Sequence, residues 1–126
     1  MILMCDEDVG SRVPGALKLV GLQTISLADN AWKGMIDLAW LQKAGEAGWL
    51  AFSCNRAMLD VPAEREAIVN YSVGIVFLTS GHEHPRDTLR LLLNKWKWLE
   101  LIDSTVLRPF AYYLSPSGRV RDIPLM

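Results

Sequence analysis

The stretch that decides the fold is Gly74-Ile75-Val76-Phe77-Leu78, a continuous apolar run rich in branched side chains. A run without alternating polar residues is typical of a strand that is covered on both faces, as in a parallel sheet. Pro62 opens a predicted helix before this strand, from Ala63 to about Val69, and Pro85 opens a longer one after it. The order helix, strand, helix indicates an α/β domain.

The same alternation continues outward from this strand to both ends of the chain. Three apolar segments toward the N-terminus predict strands: Ile2 to Cys5, Gln23 to Leu27 and Trp49 to Ser53. Between them the pattern predicts one helix after Ser11, closed by Gly21, a loop over Asp29 to Gly34, and a second helix from about Met35 to Ala47, ended by Gly48. Phe110 to Leu114 and Arg119 to Ile123 flank a turn and predict a C-terminal hairpin.

Together these elements predict one domain over residues 1–126 with three layers. We expect right-handed β-α-β units, a mainly parallel central sheet with helices on both faces, and the hairpin at its end.

The apolar positions of the predicted helices indicate which faces are buried. In the first helix these are Val13, Ala16, Leu17 and Val20, and in the long helix Leu89, Leu92, Leu93, Trp96 and Leu99. Trp40, Trp49 and Trp96 are expected in the core. For Trp32 and Trp98 two readings stay open, exposure as part of a partner surface or partial burial.

The composition is that of an ordinary globular domain. Of its 126 residues, 51% are hydrophobic, and the net charge of −1 argues against broad non-specific binding to nucleic acid. Two cysteines do not make a secreted disulfide framework, and the apolar N-terminus has no basic segment ahead of it. No apolar run approaches the length of a membrane span. We therefore expect a cytoplasmic protein without membrane association.

Acidic and amide side chains follow the predicted strands at the point where each strand ends. Asp6, Glu7 and Asp8 come directly after the first strand, Asn55 follows the third, and Asp37 begins the helix between them. In parallel sheets, binding sites form beyond the carboxyl ends of the strands. Carboxylate oxygens are the ligands that Mg²⁺ and Mn²⁺ prefer. The placement predicts a metal site at this edge.

Each acid also has a structural explanation. Asp6 or Asp8 can help to start the first helix, and Asp37 suits a helix N-terminus because its charge meets the helix dipole. Taken singly, each acid favours the structural role. Their combined placement shifts the balance toward a site.

A series of short motifs runs through the chain in a fixed order: Asp6-Glu7-Asp8-Val9-Gly10-Ser11-Arg12-Val13, Asp37-Leu38-Ala39-Trp40-Leu41, Gly48-Trp49-Leu50-Ala51-Phe52-Ser53-Cys54-Asn55-Arg56, Pro62-Ala63-Glu64, Phe77-Leu78-Thr79-Ser80-Gly81, Pro109-Phe110-Ala111-Tyr112 and Ser117-Gly118-Arg119-Val120. In this order and spacing the chain resembles the PIN-like domain of VapC-type toxins. The resemblance implies a three-layer PIN-like fold, cleavage of RNA with Mg²⁺ or Mn²⁺, and an antitoxin protein that holds the nuclease inactive. Related toxins often form dimers, which adds a homodimer to the expected partners.

The resemblance also implies the catalytic and metal-binding residues. Asp6 is then the first ligand, Asp37 the second, and the third acid of the family falls on position 55, where this chain has Asn55. An amide offers a neutral oxygen and no charge, so the metal is expected to bind more weakly. Glu7, Asp8 and Glu83 are the candidate acids to compensate for this loss of charge.

Other polar residues near these motifs are candidates for contact with substrate. Arg12 and Arg56 are expected to meet RNA phosphates. Ser53 and Ser80 end two strands and can touch a phosphate, with a satisfied loop hydroxyl as the alternative.

Two further pairs attract attention by their residue types. His82 and His84 form a weak candidate metal pair. Cys5 and Cys54 are either a redox pair or, as expected in a reducing compartment, two buried thiols.

Two functions follow from these residues. The first is a metal-dependent ribonuclease, the toxin component of a toxin–antitoxin system, in which a metal-activated water attacks the phosphodiester. The second is a binding module that keeps the PIN-like scaffold but has lost catalysis through Asn55, and that acts through a protein or RNA partner.

Overall fold

The computed structural model of the protein describes residues 1–27, 36–81 and 83–125. Within these residues, strands and α-helices alternate along the chain: β1 (Leu3–Cys5), α1 (Arg12–Leu19), β2 (Thr24–Ser26), α2 (Asp37–Ala47), β3 (Leu50–Ser53), α3 (Pro62–Asn70), β4 (Gly74–Leu78), α4 (Pro85–Thr105), β5 (Phe110–Leu114) and β6 (Val120–Asp122). Two short 3₁₀ helices, Glu7–Val9 and Arg56–Asp60, follow β1 and β3. The predicted loop over Asp29 to Gly34, with Trp32, lies outside the described residues.

The strands form one sheet in the order β2-β1-β3-β4-β5-β6. The first five strands in this order, β2, β1, β3, β4 and β5, pair in parallel, and β6 pairs antiparallel with β5. The mainly parallel sheet and the C-terminal hairpin are therefore confirmed. Both edge strands, β2 and β6, are only three residues long.

Apolar side chains fill a layer on each face of the sheet. On one face α1 and α4 pack through Leu17 and Leu92 against strand residues that include Val76. On the other face α2 and α3 pack through Trp40 and Ile68 against strand residues that include Ile75. Because successive residues of a strand point to opposite faces, β4 needs apolar side chains at every position, as its sequence has. The three-layer architecture is confirmed.

Proline residues occupy the starts of two helices, and a glycine ends a third. Pro62 and Pro85 occupy first-turn positions of α3 and α4, where the missing backbone N–H costs no hydrogen bond. Gly48 closes α2 with φ of 73°, a left-handed conformation that glycine adopts without strain. Ser11 precedes α1 at the capping position, but its side chain makes no capping hydrogen bond.

The buried faces of two helices differ from prediction. In α4, Leu91 is buried and Leu93 is 44% exposed. Leu92 and Trp96 lie one helical turn apart on the buried face, and Leu93 is rotated away from that face toward solvent. In α1, Val20 ends the helix and is exposed. A run of consecutive leucines leaves the phase of a helix ambiguous in the sequence, and only packing against the sheet resolves it.

Candidate acidic site at the carboxyl edge of the sheet

Asp6 is fixed at the carboxyl end of β1 by the neighbouring strand. Its backbone N–H donates to the Phe52 carbonyl oxygen over 2.9 Å, which ties it to β3. Its carboxylate accepts two more hydrogen bonds, from the Glu7 backbone N–H at 2.7 Å and from the Ser53 hydroxyl at 2.8 Å. Asp6 is buried, with 6% of its surface exposed. Its carboxylate therefore has a defined orientation.

Asp8 returns to the same place because a single 3₁₀ turn follows Asp6. Its Oδ1 accepts a hydrogen bond from the Cys54 backbone N–H at 3.2 Å, and its Oδ2 lies 3.5 Å from the Ser53 hydroxyl. Ser53 thus stands between the two carboxylates. Ser53 is fully buried and its hydroxyl orients Asp6, which agrees with the alternative of a satisfied hydroxyl, and its contact with a substrate phosphate stays a prediction.

Asp37 and Asn55 complete an open cleft with these acids. The cleft has a volume of about 550 Å³ and is lined by Asp6, Glu7, Asp8, Asp37, Cys54 and Asn55. Asp37 is the first residue of α2, and its Oδ1 accepts a hydrogen bond from the Trp40 indole N–H at 2.9 Å. Asn55 precedes the 3₁₀ helix Arg56–Asp60, but its side chain does not cap it. We call this the acidic cleft.

Burial and, to a smaller extent, neighbouring carboxylates raise the pKa values of Asp6 and Asp8. The pKa of Asp6 is raised to about 7, chiefly because burial disfavours the charged form and also because Asp8 is close. The hydrogen bonds from Ser53 and Glu7 oppose this shift, and Asp37 adds to it. Burial also raises the pKa of Asp8, and Asp37 contributes in the same direction. A cation in the cleft would relieve this repulsion.

A comparison with protein families assigns the fold. The family model described as PIN like domain matches residues 1–80, a segment that carries Asp6, Asp37 and Asn55. The chain belongs to the PIN-like domain family. Proteins with PIN-like domains are often nucleases. No curated protein and no solved structure matches the chain significantly.

Glu64 interacts with Asp37 of the acidic cleft, and the sequence pattern predicts no role for it. Glu64 is in the first turn of α3, and its side chain shares a hydrogen bond with Asp37. Partial burial, this hydrogen bond and the charge of Asp37 raise the pKa of Glu64. This interaction places a further acid next to Asp37. The contact between α2 and α3 that creates this pair is not visible in sequence spacing.

One candidate metal ligand, Glu83, and three candidate substrate residues lie outside the acidic cleft of the PIN-like domain. Glu83 lies with Glu7 and Asp8 in a second cleft. Arg12, Arg56 and Ser80 are exposed, and neither of these two clefts is lined by them. Their predicted contacts with RNA stay predictions.

His84 and the cysteines have structural explanations in the PIN-like domain. His84 caps α4, since its Nδ1 accepts a hydrogen bond from the Arg86 backbone N–H at 3.2 Å. Its predicted metal partner, His82, lies outside the described residues. Cys5 and Cys54 are free thiols. Burial raises the pKa of Cys5, and burial with the nearby carboxylates raises the pKa of Cys54 to about 12, so both thiols favour the protonated form.

Two further predictions concern the surface of the protein, the exposure of Trp98 and the absence of a membrane span. Trp98 is partly buried and packs edge-on against Tyr112, with ring centroids 5.4 Å apart. Among the described residues, no helix is both long and apolar enough to span a membrane.

The acidic cleft fits a hard divalent cation by its chemistry. It offers carboxylate oxygens from Asp6, Asp8 and Asp37 and an amide oxygen from Asn55, the ligand types that Mg²⁺ and Mn²⁺ take. Among residues 1–27, 36–81 and 83–125, no three His, Cys, Asp or Glu side chains are already arranged around one point as metal ligands. An ion would therefore be held by few direct ligands and by water, as Mg²⁺ commonly is.

Proposed function

We propose that this PIN-like domain is a divalent-metal-dependent ribonuclease and the toxin component of a VapC-type toxin–antitoxin system. The observation that carries the proposal is the acidic cleft, where Asp6, Asp8 and Asp37 meet beyond the carboxyl ends of parallel strands. Family membership supports the proposal, because PIN-like domains are commonly nucleases.

In this proposal Asp6 and Asp8 hold Mg²⁺ or Mn²⁺ together, since Ser53 and backbone N–H groups already orient their carboxylates. Asp37 contributes from the start of α2, and Asn55 adds a neutral oxygen. The ion supplies a nucleophilic water and neutralises phosphate charge when bound.

The chain itself contributes positive charge for the RNA backbone. Arg12 and Arg56 are exposed cations that flank these segments in sequence, and they are the proposed contacts to RNA phosphates. An antitoxin protein that covers the cleft would block both the metal and the substrate. A homodimer is the second proposed assembly, and the protein is proposed to act in the cytoplasm.

A second function is favoured by position 55. Asn55 lines the cleft at the place where the resemblance expects an acid, and the described residues hold no ready group of three ligands. A domain with this site can bind a metal and RNA weakly without cutting it. The alternative is therefore an attenuated PIN-like module that acts by binding RNA or a protein.

An RNA cleavage assay tests the proposal. The purified chain is incubated with structured and single-stranded RNA in Mg²⁺, Mn²⁺ or a chelator, beside Asp6→Asn and the matched control Asp122→Asn. Asp122 is an exposed acid on β6 at the edge of the sheet. Metal-dependent cleavage that Asp6→Asn abolishes and Asp122→Asn retains supports the nuclease. Cleavage that is equal in all three proteins indicates a contaminant and contradicts it.

A further inference from the structure

A second cleft adjoins the acidic cleft of the PIN-like domain. It has a volume of about 260 Å³ and lies between the segment after β1 and the start of α4. The two clefts share Glu7, Asp8 and Cys54 as a common wall. A molecule bound at Asp6 and Asp8 therefore lies against the wall that the two clefts share.

Among the described residues, the walls of the second cleft combine apolar side chains with side chains that carry hydrogen-bond acceptors. Val9, Val13 and Pro85 supply the apolar surface, and Glu83 and Thr88 supply oxygens. Among the described lining residues, none is Lys or Arg. The fitting ligand is partly apolar and carries hydrogen-bond donors that carboxylate oxygens can accept. A volume slightly below that of drug-sized pockets suits one nucleobase.

The N-terminus of α4 does not turn this cleft into a phosphate site. Pro85 has no N–H, and the Arg86 N–H is bound by the His84 side chain at 3.2 Å. The next two backbone N–H groups are bound by the His84 carbonyl, at 2.9 and 3.2 Å. With these donors occupied and carboxylates on the wall, a phosphate would meet repulsion without compensation.

We propose that the second cleft binds the nucleobase beside the phosphodiester to be cut, with guanine preferred and uracil disfavoured, and that Glu83 is the residue that sets this preference. The inference rests on the proposed ribonuclease function for its position relative to the cut. Glu83 is partly buried, and of the two clefts it lines only the second.

The preference follows from the edges of the bases. Guanine presents two parallel donors, its ring N–H and its amino group, which match the two oxygens of one carboxylate. Cytosine and adenine present one amino group each. Uracil presents two carbonyl oxygens beside its single N–H, and these oxygens face a carboxylate unfavourably.

Nucleoside binding tests the inference without any need for cleavage. Guanosine and uridine, which carry no phosphate, are titrated into the metal-free chain at millimolar concentration, and NMR shifts of Val13 and Thr88 are followed. Guanosine is expected to bind about tenfold more tightly than uridine, the usual effect of a two-donor contact. Glu83→Gln should bring this ratio close to one, and the matched control Glu100→Gln, an exposed acid of α4, should leave it unchanged.

The outcomes separate this inference from the ribonuclease proposal. Equal binding of guanosine and uridine, or shifts that leave Val13 and Thr88 unmoved, overturn the base cleft even if the chain cuts RNA. A guanosine preference that depends on Glu83 supports the cleft even if no RNA is cut. In an active enzyme, Glu83→Gln should also flatten the base preference of the cut sites mapped by sequencing.

Discussion

At the residue scale, the carboxyl of Asp6 makes stability depend on pH. Its pKa is about 7 in the folded chain and about 3.8 when exposed, so between these values the folded state binds more protons than the unfolded state. The free energy of unfolding should therefore fall as pH rises from about 4 to 7 and level off above. The effect of Asp6 alone is up to about 4 kcal/mol. Urea melts of the metal-free chain at pH 5 and pH 8 measure it.

Asp6→Asn removes this titration and should flatten the pH dependence, because an amide does not ionise. Asp122→Asn, on exposed β6, should keep the parental slope. The same pH dependence in the parent and in Asp6→Asn would contradict this role of the Asp6 carboxyl.

Asn55 is the residue where a small change should strengthen the site. Its side chain lines the acidic cleft and caps no helix, so Asn55→Asp adds charge where a cation would sit. We expect tighter Mg²⁺ and Mn²⁺ binding by about tenfold and faster RNA cleavage, with lower stability of the metal-free chain through repulsion with Asp6. Calorimetric titration of metal into the parent and variant measures the affinity.

The matched control is Asn70→Asp at the exposed end of α3, which should not change metal affinity. If Asn55→Asp binds metal no more tightly than Asn70→Asp, position 55 does not contribute to a metal site.

The candidate site could be predicted only in part from the sequence. Asp6, Asp37 and Asn55 were placed at strand ends and a helix start, and those positions follow directly from the strand and helix pattern. Ser53 and Glu64 were not assigned their contacts, because one depends on the pairing of β1 with β3 and the other on the packing of α2 against α3. Contacts between elements that are distant in the sequence do not produce a periodic pattern of residue types.

At the scale of elements, the packing of α2 on α3 depends on Gly45. A methyl group at this position would collide with the Tyr71 carbonyl oxygen and lie 2.8 Å from Tyr71 Cβ. We expect Gly45→Ala to lower the free energy of unfolding by about 2 kcal/mol, since backbone atoms cannot move aside easily. The variant should also weaken metal binding, because α2 carries Asp37 at its start. Chemical denaturation with and without metal measures both effects.

Gly15 in α1 provides the matched control. A methyl group there meets no atom within 4 Å, so Gly15→Ala should stabilise the chain, by up to about 1 kcal/mol, through helix propensity alone. Similar effects of the two substitutions would mean that α2 and α3 do not approach as closely as described.

The bounds of helices and strands could be predicted from the sequence better than the face that each helix buries. The bounds of β4 and the starts of α3 and α4 agree with the sequence because apolar runs and prolines act locally. The buried face of α4 was predicted with Leu93 in place of Leu91, since three consecutive leucines fit more than one helical phase. Burial against the sheet, a property of the tertiary fold, decides between them.

At the scale of the whole molecule, metal binding should stabilise the fold. A ligand that binds only the folded state stabilises it by mass action, by about 1.4 kcal/mol at tenfold excess over Kd. For a domain of this size we expect the Tm to rise by several degrees in millimolar Mg²⁺ or Mn²⁺. The rise should be larger at pH 8 than at pH 6, because protons compete with the metal for Asp6 below pH 7.

Thermal melts of the parent and of Asp6→Asn, each in metal and in chelator, measure this shift. The variant should show little or none of it. A parental Tm that does not respond to either metal at pH 8 argues against a metal site in the acidic cleft.

The short edge strands have a consequence for the behaviour of the protein at high concentration. A foreign strand can extend a sheet only where a long row of backbone groups is left unpaired, and β2 and β6 offer three residues each. β6 also places the charged pair Arg121 and Asp122 on that margin. Lateral growth into cross-β aggregates is thereby disfavoured at both margins, and the long apolar strand β4 is protected at the centre of the sheet.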